Sequence, residues 1–222
     1  MYKDIRKDIH DEVEYTFLSL LSRKVRVGVV GGGRAGFIKV RHFVQNKCYV
    51  EVLSKKFTDD ILGLADKNDN LKLIYRQLDD EFFKDKHIII IALDDEVIKN
   101  NIKKYCDDNY KIYIDCTDFK KGMAVVPTET STKTMNVALN TKGGNPKGAV
   151  WAADKINTLL MEYDEFIDFT TKIRNRAKNI PEYKNQIIKF IFSDEFKELF
   201  DKGEGMESIK SKFPKEVTEK LF

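Results

Sequence analysis

The feature that most limits how this chain can fold is an apolar run at residues 25–30. It breaks directly into glycines spaced G-x-G-x-x-G, at Gly31, Gly33 and Gly36, and a helix-compatible segment follows. Strand, glycine turn and helix in that order make the phosphate-binding corner of a dinucleotide fold. Gly31 permits a tight turn, Gly33 lets the backbone approach a pyrophosphate, and Gly36 lets helix and strand pack closely. Arg34, Ala35 and Gly36 open the helix, whose first N–H groups lack intrahelical acceptors and are offered to an anion. The spacing alone is a weak signal, because glycines also mark ordinary strand-to-helix turns. Its place between a strand and a helix gives it weight.

With 222 residues, 42% of them hydrophobic, the chain can bury a core as one large domain or two small ones. Its net charge of +3 arises from 39 basic and 36 acidic residues, a mixed surface that argues against a nucleic-acid partner. No apolar run approaches the roughly 20 residues of a bilayer span, and the charged N-terminus lacks the apolar stretch of a secretion signal. A cytoplasmic protein with no membrane partner is expected. Cys48, Cys106 and Cys116 are odd in number and unclustered, so they read as reduced thiols. His10, His42 and His87 are scattered, and no resident metal is expected.

In chain order, residues 1–16 are charged, with a short helix from residue 11 or a loose arm, and no function is assigned to them. Strands at 25–30, 49–53, 71–75, 87–93 and 111–115 alternate with helices at 35–45, 58–64 and 96–106. This predicts an α/β architecture, a Rossmann-type doubly wound parallel sheet occupying residues 1–117. The run 87–93 does not alternate, so both its faces should be covered, and it is expected at the centre of the sheet. Thr58 is expected to cap its helix, and Asp94 or Asp95 the helix that follows them. Dinucleotide folds commonly end the second strand on an acidic residue that holds the ribose; here the strand ends in Ser54 and Lys55. Without that carboxylate a 2′-phosphate is not repelled, and Ser54 with Lys55 could contact one, so NAD is the expected cofactor with NADP as the alternative.

After Asp118 the pattern changes. Segments 123–127 and 134–140 read as strands with no helix between them, a small β element within residues 118–149. A turn at 141–146 leads into a helix from about residue 147, and residues 150–222 read as a helical domain. Its helices are expected at 150–179, from Pro181, at 194–202 and at 206–213, with Gly203 and Gly205 marking a break.

Four stretches in this order resemble the precorrin-2 dehydrogenase and sirohydrochlorin ferrochelatase family, the N-terminal module of siroheme synthases. They are 17–33, with its GGG turn; 91–96, similar to the acidic loop after the family's fourth strand; 114–118 with 124–127, similar to its N-V-x-D segment and following strand; and 141–146, similar to its T-G-G-x-S-P turn. The resemblance implies a Rossmann domain, a middle dimerisation element and a C-terminal helical domain in a homodimer. It also implies NAD-dependent oxidation of the tetrapyrrole precorrin-2 to sirohydrochlorin, in siroheme or cobalamin synthesis, with Fe2+ or Co2+ as a further substrate where chelatase activity is present.

On this resemblance Asp118 matches the catalytic aspartate and would act as general base, although Asp after a strand also caps turns. Asp94 and Asp95 would lie beside the nicotinamide ribose, and helix capping explains at least one of them without a ligand. Thr141, Lys142, Gly143 and Gly144 would line the substrate cleft, Lys142 meeting a carboxylate. The chain departs from the family at Lys99, where an Asn is usual; at the turn, which reads K-G-G-N-P; and around Trp151, Ala152 and Ala153, where arginines are usual. These departures favour a rival reading, a non-catalytic NAD(H)- or tetrapyrrole-binding carrier or sensor. A nucleotide-binding regulatory domain of a transport system would share the glycines but leave residues 118–146 unexplained.

Overall fold

The structure is a computed structural model and describes residues 13–222. The arm before them, with His10 and the start of the helix considered at residue 11, lies outside the described residues. The described residues divide into two compact units, 16–126 on one hand and 127–222 with 13–15 on the other.

The first unit is the expected α/β fold. Its elements are β1 (Arg26–Val30), α1 (Arg34–Gln45), β2 (Tyr49–Leu53), α2 (Asp59–Ala65), β3 (Leu71–Ile74), β4 (Ile88–Ile91), α3 (Glu96–Asp108) and β5 (Ile112–Asp115). The strands form one parallel sheet in the order β3-β2-β1-β4-β5. In its register Val30 lies opposite both Leu53 and Ile91, and Ile91 opposite Asp115, so four strands end in one row.

Strand parity divides the core into two faces. Val27, Val29, Val50, Val52 and Ile90 point to one side, where α1 delivers Val40, Phe43 and Val44 at helical spacing. Ile89, Ile91, Val30 and Leu53 point to the other, against Phe82 and Phe83 of a single 3-10 turn (Asp80–Phe83) and Ile102 and Cys106 of α3. Burial on both faces explains why β4 reads as uninterrupted isoleucine.

Three expectations about this unit are corrected. β1, not β4, is the middle strand, because lack of alternation reports two-sided burial, which every interior strand shares. Thr58 precedes α2 but makes no side-chain cap; its carbonyl accepts from Ile61 and Leu62. Residues 123–127 are not a strand of the hairpin. The N–H groups of Met123 and Ala124 both donate to Tyr113 O at 3.0 Å, and Ala124 and Val126 pack on the core. Pro127, which has no N–H to give a ladder, marks where the chain leaves β5.

A carboxylate is buried in the middle of this sheet. Glu51 on β2 stands opposite Gly28 on β1, and Lys86 reaches it with Nζ 2.7 Å from Glu51 Oε2. A Cβ on Gly28 would lie 3.1 Å from Lys86 Cγ, so the missing side chain is the space the lysine stem occupies. The Lys86 side chain is 2% exposed. Tyr49 also donates to Glu51. Burial raises the Glu51 carboxyl, but the bonds from Lys86 and Tyr49 overcome it and hold the group below its usual range.

In the second unit β6 (Thr128–Ser131) and β7 (Asn136–Leu139) form an antiparallel hairpin. The helices α4 (Pro146–Met161), α5 (Asp164–Ala177), α6 (Pro181–Ile191), α7 (Asp194–Asp201), α8 (Gly205–Lys212) and α9 (Lys215–Leu221) follow. The stretch expected as one helix at 150–179 breaks at Glu162 and Tyr163, and α9 was not expected. Phe166, Ile173, Ile187, Phe190, Phe196 and Ile209 form the helical core. Asp164 opens α5 and ties down the hairpin loop. Its carboxylate accepts from Thr132 Oγ1 at 2.7 Å, Thr134 N at 3.0 Å and Lys133 N at 3.1 Å. Hydrogen bonds from Thr134 and Thr132 pull its pKa down to about 2.

Candidate active site

The carboxyl edge of a parallel sheet, where strand order reverses between β1 and β4, is where such folds bind ligands. The structure brings four candidate groups to that edge: the glycine turn after β1, Ser54 and Lys55 after β2, Asp94 and Asp95 after β4, and Asp118 after β5.

Each glycine of the turn has its own reason. Gly31 has φ +116°, and a Cβ there would sit 2.1 Å from Ala92 O, so the turn and the loop after β4 lie directly against each other. At Gly36 a Cβ would fall 2.4 Å from Gly31 O, which confirms the need for a bare residue between helix and strand. Gly33 caps α1, and a Cβ there would meet nothing within 4 Å. That open cradle faces the helix end. Phe37 N donates to Gly33 O at 2.9 Å across the cap, and no acidic residue stands in the first turn to offset the positive end of α1. Arg34, Ala35 and Gly36 therefore supply N–H groups that fit a dinucleotide pyrophosphate. Gly32, outside the spaced pattern, is demanded by packing: a Cβ would lie 2.4 Å from Lys56 O.

The other cofactor candidates divide. Ser54 Oγ donates to Lys56 O at 2.7 Å, so its hydroxyl shapes the loop, while Lys55 is exposed. Asp95 caps α3, accepting from Ile98 N at 3.0 Å, while Asp94 is exposed beside it.

Asp118 caps a 3-10 turn (Phe119–Lys121), accepting from Lys120 N at 3.2 Å, with Lys121 Nζ 3.6 Å from its other oxygen. Its side chain is 43% exposed, so the capping carboxylate also reaches solvent and any ligand at the edge.

Beneath it lies a network that sequence reasoning missed. Asp115, buried at the end of β5, accepts at Oδ1 from Thr117 N (2.8 Å), Thr117 Oγ1 (2.7 Å) and Asp118 N (3.1 Å). Its other oxygen is 2.6 Å from Lys103 Nζ. Burial opposes ionisation, but Lys103 and the Thr117 and Asp118 donors hold this carboxyl far below the usual range. Lys99, also buried, donates to Thr117 Oγ1 at 2.9 Å and pairs with Glu96 at 2.5 Å, which raises its pKa. Lys99, where the sequence departs from the family pattern, and Asp115 are thus linked through Thr117. The signal available in the sequence was the i, i+4 spacing of Lys99 and Lys103 on the face of α3 that points at the sheet.

Thr141, Lys142, Gly143 and Gly144 belong to the second unit, on the turn before α4. Gly144 has φ +67° and donates to Thr141 O, and Asn145 N donates to Thr141 Oγ1 at 2.6 Å. Asn145 caps α4 by accepting from Gly148 N. Val13 N donates to Lys142 O, and Gly143 is exposed with open space where a Cβ would stand.

A recess of about 560 Å³ opens at the opposite, amino edge of the sheet, lined by residues such as Leu21, Val25, Tyr110 and Ile112. It includes none of the glycine-turn residues.

Residues 18–128, half of the chain, match the model of a family described as "Putative NAD(P)-binding". A protein of Methanocaldococcus jannaschii named "Putative precorrin-2 dehydrogenase" is 28% identical over 195 residues, covering 81% of this chain and 93% of its own length. Among solved structures, that of SirC, precorrin-2 dehydrogenase, aligns with a TM-score of 0.66 at 18% identity, covering 88% of this chain and 100% of its own, a likeness of fold. The family match contains β1, the complete glycine turn and the loops after β4 and β5. This chain therefore belongs to the NAD(P)-binding family that the model describes, and within it resembles the precorrin-2 dehydrogenases.

Proposed function

We propose that this protein is an NAD(P)-dependent precorrin-2 dehydrogenase, oxidising precorrin-2 to sirohydrochlorin. The observation that carries the reading is the carboxyl edge itself: an open glycine cradle at the start of α1 and, after β5, a partly exposed carboxylate, Asp118, whose loop is tied to a buried anchor. The relatives named as precorrin-2 dehydrogenases support the choice of substrate.

The oxidation removes two electrons as a hydride, and one proton. NAD(P)+ supplies the hydride acceptor. Gly33 with the N–H groups of Arg34, Ala35 and Gly36 would hold the pyrophosphate, Asp94 and Asp95 would lie beside the nicotinamide ribose, and Ser54 and Lys55 would meet a 2′-phosphate where the cofactor is NADP. Asp118 takes the proton from the macrocycle on a carboxylate oxygen, as a general base. Asp115 fixes the backbone of Thr117 and Asp118 so that this carboxylate is aimed before substrate arrives. Thr141, Lys142, Gly143 and Gly144 bind the substrate through backbone N–H groups and the lysine ammonium. Residues 1–117 serve as the dinucleotide domain, 118–149 as the dimerisation and active-site segment of a cytoplasmic homodimer, and 150–222 as the helical domain. Insertion of Fe2+ or Co2+ into the product is proposed on the family resemblance.

The test is direct. Full-length protein mixed with precorrin-2 and NAD+ should produce the absorbance of sirohydrochlorin together with NADH at 340 nm. Asp118→Asn should lower kcat about a hundredfold with NADH affinity unchanged. Tight NADH or tetrapyrrole binding without turnover in the parent protein would select the carrier or sensor instead.

A further inference from the structure

The loop after β2 is held in place by contacts that leave its charges free. A Cβ on Gly32 would lie 2.4 Å from Lys56 O and 3.0 Å from Ser54 Cβ, and Thr58 N donates to Gly32 O at 3.1 Å, so residues 54–58 lie directly on the glycine turn. Ser54 N also donates to Ile74 O at 3.1 Å, which brings Tyr75 beside the same loop. There its ring meets that of Phe57 edge-on, with 4.7 Å between centres. Ser54 Oγ donates its proton to Lys56 O, so the charged contacts fall to the lysines. Lys55 and Lys56 are exposed, as is Arg34 at the start of α1, and none of the three has a side-chain partner among the described residues. The acids that come next, Asp59 and Asp60, stand in the first turn of α2 and complement its positive end.

An acid at the end of the second strand accepts from the ribose hydroxyls and repels a phosphate on the 2′ oxygen, whereas cations there do the reverse. Here the acid is missing and three unpaired cations stand at the turn. Tyr75, 64% exposed, adds a flat aromatic face beside them. We propose that Lys55 and Lys56, with Arg34, form a subsite for a 2′-phosphate, that Tyr75 packs on the adjoining adenine, and that the protein selects NADP(H) over NAD(H). The proposal rests on the dinucleotide reading of the glycine turn and is independent of the substrate. Lysines solvated at random would attract both cofactors alike. These two follow the strand whose end faces the 2′ position, where the cofactors differ.

The experiment measures equilibrium binding of NADPH and NADH to the full chain by nucleotide fluorescence, at low and high salt. The variants are Lys55→Glu/Lys56→Glu, the milder Lys55→Ala/Lys56→Ala, Ser54→Asp and Tyr75→Ala, with Lys184→Glu/Lys189→Glu on α6 as the control for bulk charge. Circular dichroism is recorded for each. The parent should bind NADPH about tenfold or more tightly than NADH, with the margin shrinking at high salt. Both lysine pairs should remove most of that margin while NADH affinity stays within about threefold, and the α6 control should keep it. Ser54→Asp should move the preference toward NADH, and Tyr75→Ala should weaken both nucleotides by a similar factor. Equal affinities in the parent, or a preference for NADH, overturn the subsite and leave the dinucleotide reading intact. A margin that survives both lysine pairs overturns its assignment to Lys55 and Lys56, and an unmoved Tyr75→Ala overturns the adenine contact. Binding of neither nucleotide by the parent overturns both readings.

Discussion

Glu51–Lys86 and Asp115–Lys103 are both lysine–carboxylate pairs sealed into the same face of one parallel sheet, yet they differ in what else the carboxylate holds. Glu51 sits mid-strand, and its partners, Lys86, Lys72 and Tyr49, are all side chains. Asp115 sits at a strand end and accepts from the backbone N–H groups of Thr117 and Asp118. The first pair therefore acts on the sheet, and the second reaches the loop that carries the candidate base. Burial of a charge pair gives little net stability by itself, because desolvation offsets attraction. Its position decides whether breaking it costs folding or catalysis.

That contrast can be broken experimentally. The largest loss of stability is expected from Lys86→Met, which leaves Glu51 buried with weaker company: about 3 kcal/mol in urea unfolding, with kcat and NADH affinity of the folded fraction unchanged. A comparable fall in kcat would erase the distinction between the two pairs. Asp115→Ala should lower stability less than it lowers turnover, with kcat down about tenfold and KM for NAD+ unchanged. Asp115→Asn, which keeps an oxygen for Thr117 and Asp118, should recover most of that kcat. Failure of this rescue would mean that charge, not loop geometry, is what Asp115 provides.

Acid titration sharpens the comparison further. Both carboxyls are held below their unfolded values, so the stability they contribute is complete well above those unfolded values, from about pH 6, and is lost as pH falls toward their folded values. Unfolding free energy should be flat across pH 6–8 for these groups and decline below about pH 5. Lys86→Met should show a shallower decline, because one of the two depressed groups has lost the partner that depresses it. The smallest effect is expected from Gly28→Ala. Its new methyl meets Lys86 Cγ and Phe82 Cε1 at 3.1 Å and should cost about 1–2 kcal/mol of stability with catalysis untouched.

Much of the first unit was legible because its signals are local. An apolar strand, a glycine turn and a helix at the right spacing fix one another, and Gly31 and Gly36 have the steric reasons expected of them, while Gly33 stands in open space. Rank within the sheet was not legible, since β1 and β4 are both interior and burial is the same for both. The hairpin began later than expected because backbone donation from Met123 and Ala124 to Tyr113 keeps that segment on the sheet, a tertiary bond with no local mark. Gly32 was passed over for the same reason: what it accommodates is a carbonyl from Lys56, more than twenty residues away. Asp115 and Lys103 were overlooked because each alone looks like a strand end and a surface helix residue. Glu51 left a readable trace, one acid within a strand buried on both faces. Its partner Lys86 left none.

Lys86 gives the molecule an internal clock. Its amine is 2% exposed, whereas Lys84, two residues earlier, is 63% exposed. An amine-reactive reagent will therefore modify Lys84 at the chemical rate, while Lys86 waits for the sheet to open. The ratio of the two labels on a single short peptide reads the opening equilibrium of the nucleotide-binding unit without denaturant. NADH, by binding only the closed form, should slow the second label and leave the first alone.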